Sequence, residues 1–175
     1  MKRSLLVLFA ATGMMVAASC SNGGAVSEGT LSKTYENPVI REDSPDCSFL
    51  DNRSRDGYFY VYTTGTSQIK VFRSEDCLRW KYLGNAFGGN KRPPCDTVGK
   101  LWAPDVEYFG GRYVMYYALG HTRDDYDRWH SPSGVATSDN PAGPFSDHGL
   151  IVSVEKTGVR SSIDPFYIED NGKKY

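Results

Sequence analysis

Three segments of this chain begin alike, and their spacing limits the folds open to it more than any other feature. Asp46-Cys-Ser-Phe-Leu leads to Gly57 and the aromatic run from Tyr58 to Tyr62. Asp105-Val-Glu-Tyr-Phe leads to Gly110-Gly111 and the run from Tyr113 to Tyr117. Asp164-Pro-Phe-Tyr-Ile leads to Gly172-Lys-Lys-Tyr175. The three Asp residues stand at equal intervals of 59 residues. Alternating aromatic and β-branched side chains after a Gly turn read as strands. Gln68–Arg73 reads as the return strand of a hairpin, and Gly134–Thr137 as another short strand closed by Ser138-Asp139-Asn140-Pro141. No stretch after residue 33 carries helical periodicity with caps. A unit of about four strands repeated at a fixed period is the blade of a β-propeller. The expectation is therefore an all-β chain holding two blades and the start of a third. Propellers close with about four to eight blades, and an open arc leaves strand edges uncovered. Residues 35–175 thus read as an incomplete β-propeller, the N-terminal part of a longer protein.

Composition agrees with strands and turns: 12 Tyr, 8 Phe, 3 Trp, 18 Gly and 9 Pro in 175 residues. The length suits one domain. With 20 basic and 21 acidic residues there is no excess of cations to neutralise phosphates, which argues against a nucleic-acid partner.

The N-terminus reads as an address. Lys2 and Arg3 precede an apolar run from Leu5 to Ala18, too short for an ordinary membrane span and suited to a secretory signal over residues 1–19. Ala17-Ala18-Ser19-Cys20 resembles the lipobox of bacterial lipoproteins, which implies lipid on Cys20 and a protein exported to the bacterial cell envelope. Ala17 departs from the Leu usual three places before the Cys. Residues 20–34 read as a flexible tether. Cys47, Cys77 and Cys95 show no metal-ligand spacing, so no metal site is expected; one disulfide among them or free thiols both stay open.

Asn37-Pro38-Val39-Ile40 followed by Ser44-Pro45-Asp46-Cys47-Ser48 resembles the Asn-Pro-Val…Asp-Pro-Ser opening of glycoside hydrolase family 43, with Cys47 where Pro is common. Leu101-Trp102-Ala103-Pro104-Asp105 is similar to that family's Trp-Ala-Pro-Asp segment. Ser162-Ile163-Asp164-Pro165-Phe166 is similar to its third-blade Ile-Asp-Pro segment. The family comprises arabinanases, α-L-arabinofuranosidases and β-xylosidases on a five-bladed propeller. The resemblance spans residues 35–175. It implies inverting hydrolysis of O-glycosidic bonds in arabinose- or xylose-containing plant polysaccharide, by a monomer touching the membrane only through its N-terminal lipid.

Inversion needs one carboxylate to activate water and a second carboxylic acid to protonate the leaving oxygen, about 6.5–9.5 Å apart. By resemblance Asp46 is the general base, and Asp164 the third carboxylate, tuning the acid by like-charge proximity. Asp105 falls to the funnel wall, in substrate binding or structure. The family's acid is a Glu of the fourth blade. Neither Glu155 nor Glu169 matches its position, so the acid is expected outside this chain, which alone should hydrolyse nothing at a useful rate. Gly120–Pro132 is long beside the matching turn Thr63–Ser67, and offers Tyr126 and Trp129 as platforms for stacking on a sugar. Trp102 is expected to line the same funnel. Asp124, Asp125 and Asp127 lack the spacing of a calcium loop. The chemistry requires no cofactor, while a structural calcium in the completed propeller stays open. Competing readings are a noncatalytic carbohydrate-binding propeller, a protein-binding scaffold and a related fructan-cleaving fold.

Overall fold

Alternation sets the first strand. In β1 (Ser48–Asp51) Ser48 and Leu50 turn inward while Phe49 and Asp51 face out. A single helical turn, α1 (Arg53–Asp56), ends at Gly57, whose φ of 86° lets its N–H close on the Arg53 carbonyl. β2 (Phe59–Thr63), β3 (Lys70–Ser74) and β4 (Lys81–Asn85) follow as an antiparallel meander, so the sheet reads β1-β2-β3-β4 from its first strand outward. The second sheet repeats this plan with longer strands. β5 (Lys100–Phe109) pairs with β6 (Arg112–Gly120), whose connection forms a small hairpin of β7 (Thr122–Arg123) and β8 (Trp129–His130). β9 (Ser133–Ser138) and β10 (Ser146–Val152) complete it in the order β5-β6-β9-β10. α2 (Val154–Thr157) and the hairpin β11 (Glu169–Asp170), β12 (Lys173–Lys174) come last.

The computed structural model describes residues 35–94, 100–120, 122–123 and 129–175. The expected signal and tether, Cys20, Cys95 and Tyr126 lie outside the described residues, as does the Trp129 side chain. Cys47 and Cys77 are free thiols. Among the described residues no helix is long and apolar enough to cross a membrane. Two one-turn helices join the strands without altering the all-β class. Four residues are too few to show a period; their signals are the Ser153 side chain accepting from the Lys156 N–H, and the left-handed glycines Gly57 and Gly158.

Part of the aromatic share of the composition is buried between the two sheets. β5 packs against both β1 and β2. Tyr62 and Tyr117 are wholly buried there, with Phe145 edge-on to Tyr62 and Phe87 edge-on to Tyr117 at centroid distances of 6.3 and 5.6 Å. Each such side chain stabilises the pairing by about 1.5–3 kcal/mol through burial. A buried phenol still needs a partner. Tyr62 donates to the Pro141 carbonyl at 2.7 Å and Tyr113 to Asn52 Oδ1 at 3.1 Å, so both hydroxyls cross from one sheet to the other's territory. Burial pushes the Tyr62 phenol well above its ordinary pKa.

Candidate active site

The first strands of the two sheets and the segment before β11 converge on an open cleft of about 450 Å³. Asp46, Asp105 and Asp164 all line it, together with Ala103, Glu107 and Phe166. Three carboxylates from three successive repeats therefore share one space.

They do not hold equivalent positions. Asp46 and Asp164 are both left-handed, with φ of 49° and 54°, a region in which Asp is one of the few tolerated side chains. The second repeat adopts that conformation at Ala103, φ 38°. Backbone equivalence thus joins Asp46, Ala103 and Asp164, and corrects the equal-interval alignment, which put Asp105 in that set. The cause is the length of β5: it starts at Lys100, against the extended end of β6, and an irregularity between Trp102 and Asp105 shifts the register. Asp105 consequently sits inside a strand rather than opening one.

Its surroundings differ accordingly. Asp105 is only 7% exposed. Its Oδ2 accepts from the Tyr167 N–H at 2.8 Å, and its Oδ1 from the Ser48 hydroxyl at 3.4 Å. Ser48 Oγ in turn accepts from the Val106 N–H at 3.1 Å. Burial raises the Asp105 pKa, and the two hydrogen bonds pull against that rise. Glu107, two residues on and half-buried, is also raised, by burial first and by the Asp105 charge second.

Asp46 is exposed at the end of a loop. Its Oδ2 accepts from the Thr64 hydroxyl at 3.0 Å. That hydroxyl accepts from the Ala103 N–H at 2.7 Å, and the Thr64 N–H donates to the Pro45 carbonyl at 3.0 Å. Asp164 is reached by another route. The Ser162 N–H donates to the Ser131 carbonyl at 2.7 Å, the Ser131 N–H to Arg160 at 3.0 Å, and the Ser133 hydroxyl to the Ser162 carbonyl. The segment entering Asp164 is thereby sewn to the base of the β7–β8 hairpin.

Trp102 is half-buried, and its indole lies against Gly120, where any Cβ would collide with the ring. It neighbours Ala103 without lining the cleft itself. Glu155 in α2 and Glu169, which accepts from the Tyr167 hydroxyl at 2.6 Å, do not line it either. Thr64 and Glu107 were missed by sequence reasoning. The parity of β5 could have found Glu107, two residues from Asp105 on the same face; nothing in a Thr-Thr-Gly turn marks Thr64. Among the described residues no three His, Cys, Asp or Glu side chains gather to hold a metal ion.

The sequence model of glycosyl hydrolases family 43 matches residues 35–175. The chain belongs to that family. This family-43 chain is 31% identical over 123 residues to the extracellular exo-alpha-(1->5)-L-arabinofuranosidase of Cellvibrio japonicus, covering 65% of this chain and 34% of that protein. It is 30% identical over 128 residues to the arabinan endo-1,5-alpha-L-arabinosidase A of Aspergillus niger, covering 72% of this chain and 39% of the relative. The solved alpha-L-arabinanase of Cellvibrio cellulosa, complexed with arabinohexaose, superposes with a TM-score of 0.59 at 26% identity, over 75% of this chain and 42% of that one. The chain spans about a third to two fifths of the length of these relatives. Its two four-stranded sheets and following hairpin are two blades and the opening of a third in the five-bladed propeller of family 43.

Proposed function

We propose that this chain carries the base side of a glycoside hydrolase active site that cleaves arabinose- or xylose-containing polysaccharide by inversion. The observation that carries the reading is the pair Asp46 and Asp164: two exposed carboxylates, alike in an uncommon backbone conformation, on one cleft. With Asp46 Oδ2 engaged by Thr64, Oδ1 takes the proton of the attacking water as its oxygen adds to the anomeric carbon. The glycosidic bond breaks on the opposite face, and the leaving oxygen receives its proton from a separate carboxylic acid. Asp164 supplies negative charge beside that acid and holds it protonated until the bond breaks. Trp129 and Tyr126, in the long turn of the second blade, are the side chains offered for stacking on sugar rings, while Trp102 packs against Gly120 beside Ala103. Two relatives that act on α-1,5-linked arabinose make α-1,5-arabinan the first substrate to try.

The same reading extends to the residues before Tyr35. Residues 1–19 direct export and Cys20 takes lipid, an inference motivated by the charged start, the apolar core and the Ala-Ala-Ser before the Cys; a relative named as extracellular is in keeping with export. Cys20→Ala should release the protein from the membrane fraction, and retention with the signal uncleaved would show an anchor helix instead.

The test of function is direct. The full-length protein is assayed on arabinan, xylan and the matching chromogenic arabinofuranosides and xylosides, beside Asp46→Asn and Asp164→Asn. Product anomer is followed by NMR. Turnover lost in both variants, with inverted product, supports the reading. Binding of oligosaccharide without turnover in the parent protein would assign a carbohydrate-binding propeller in its place.

A further inference from the structure

We propose that Thr64 is a positioning residue for the general base, and that it makes the aim of Asp46 depend on the seating of blade two against blade one. The inference rests on the reading of Asp46 as the base.

A threonine hydroxyl has one proton to give. Thr64 Oγ1 receives the Ala103 N–H at 2.7 Å, so one lone pair is committed to the neighbouring blade and the proton is directed to Asp46 Oδ2 at 3.0 Å. The polarity of this relay is fixed, because a backbone N–H can only donate. It runs from the blade-two backbone, through a blade-one turn, to the blade-one carboxylate. A hydroxyl that already accepts a hydrogen bond is the better donor, since the two bonds polarise one another.

The relay is held at both ends. The Thr64 N–H donates to the Pro45 carbonyl at 3.0 Å, so its main chain clasps the residue before Asp46 while its side chain clasps Asp46 itself. Ala103 is held at φ 38°, a conformation that narrows the directions its N–H can take. Thr64 is partly buried, and its branched Cβ leaves few rotamers. Asp46, by contrast, is exposed and precedes its strand, so its own surroundings do little to fix χ1. With Oδ2 occupied, Oδ1 is the oxygen presented to water. A base that swings between rotamers loses the near-attack geometry on which rate depends, and misplacement of about 1 Å can cost on the order of a hundredfold.

Steady-state kinetics on the full-length protein decide the matter, with Thr64→Val (same shape, no hydroxyl), Thr64→Ser (hydroxyl kept), Asp46→Asn and the double variant. Thr64→Val is expected to lower kcat about 10- to 100-fold with KM changed less than about twofold. Thr64→Ser should stay within about threefold of the parent. In the Asp46→Asn background Thr64→Val should cost less than about twofold more, because the group it positions is already disabled. Thr64→Ala is measured by the same criteria in case the valine variant does not fold. A kcat for Thr64→Val within about threefold of the parent, beside an inactive Asp46→Asn, overturns the inference and leaves the functional reading standing. So do equal losses in the serine and valine variants, a full additive loss in the double variant, or failure of every hydroxyl-free variant to fold, since the hydroxyl is then structural. An active Asp46→Asn overturns the functional reading instead.

Discussion

Asp46 and Asp105 face one cleft, and each accepts a hydrogen bond from a blade-one hydroxyl that itself accepts a blade-two backbone N–H: Thr64 for the first, Ser48 for the second. There the likeness ends. Asp105 lies within a strand, is nearly closed off from water, and gives its second oxygen to the Tyr167 N–H. Asp46 stands on a loop in the open cleft with its hydrogen bond on one oxygen. One carboxylate is used up in joining three blades. The other, among the described residues, has a hydrogen bond on Oδ2 alone. Residue type and proximity to a cleft therefore do not make two carboxylates equivalent; burial and hydrogen bonding set them apart.

The largest effect expected from this contrast is on rate. Asp46→Asn in the full-length protein should lower kcat by about 10²–10⁴ while the thermal midpoint stays nearly unchanged; a loss of fold together with rate would erase the distinction. The opposite profile is expected at the other carboxylate. Asp105→Ala leaves the Tyr167 N–H without its acceptor in a buried seam, which should cost about 2–3 kcal/mol in denaturant titration. A variant as stable as the parent would show that Asp105 does not join the blades. Ser48→Ala removes only the hydroxyl between Val106 and Asp105, and about 1 kcal/mol of stability should go with it. The smallest effect is one of pH. Because burial raises the Asp105 pKa, the folded state prefers the protonated acid, so that preference stabilises fully below the unfolded pKa and is lost as pH rises through the folded one. Asp105→Asn, which cannot ionise, should therefore compare more favourably with the parent near pH 7 than near pH 3. An offset between the two that does not vary with pH would sink the argument from burial.

Much of this architecture was legible in the sequence. The aromatic runs at Tyr58–Tyr62 and Tyr113–Tyr117 fall in β2 and β6, and Gln68–Arg73 meets β3, because alternation with bounding glycines is a local signal. The motifs at Asp46 and Asp164 pointed to two carboxylates that the fold brings to one cleft. The alignment at Asp105 was not legible, because counting residues cannot see that β5 begins early and carries an irregularity. Thr64 lay beyond reach for a different reason. Its importance comes from the Ala103 N–H arriving from another blade, and no short-range pattern encodes such a meeting.

The placement of Asp105 also has a meaning in time. Its partners come from residues 48 and 167, on either side of it along the chain, and a chain is made from its N-terminus, with early parts folding first. When the first two blades have docked, Ser48 already reaches the carboxylate, yet its other oxygen has no donor until the third blade's first segment is laid down. Until then water serves that oxygen, and the Tyr167 N–H takes its place as the segment closes over the carboxylate. The centre of the molecule is therefore completed late. The Tyr167 N–H, made 62 residues after the carboxylate it serves, closes that site last.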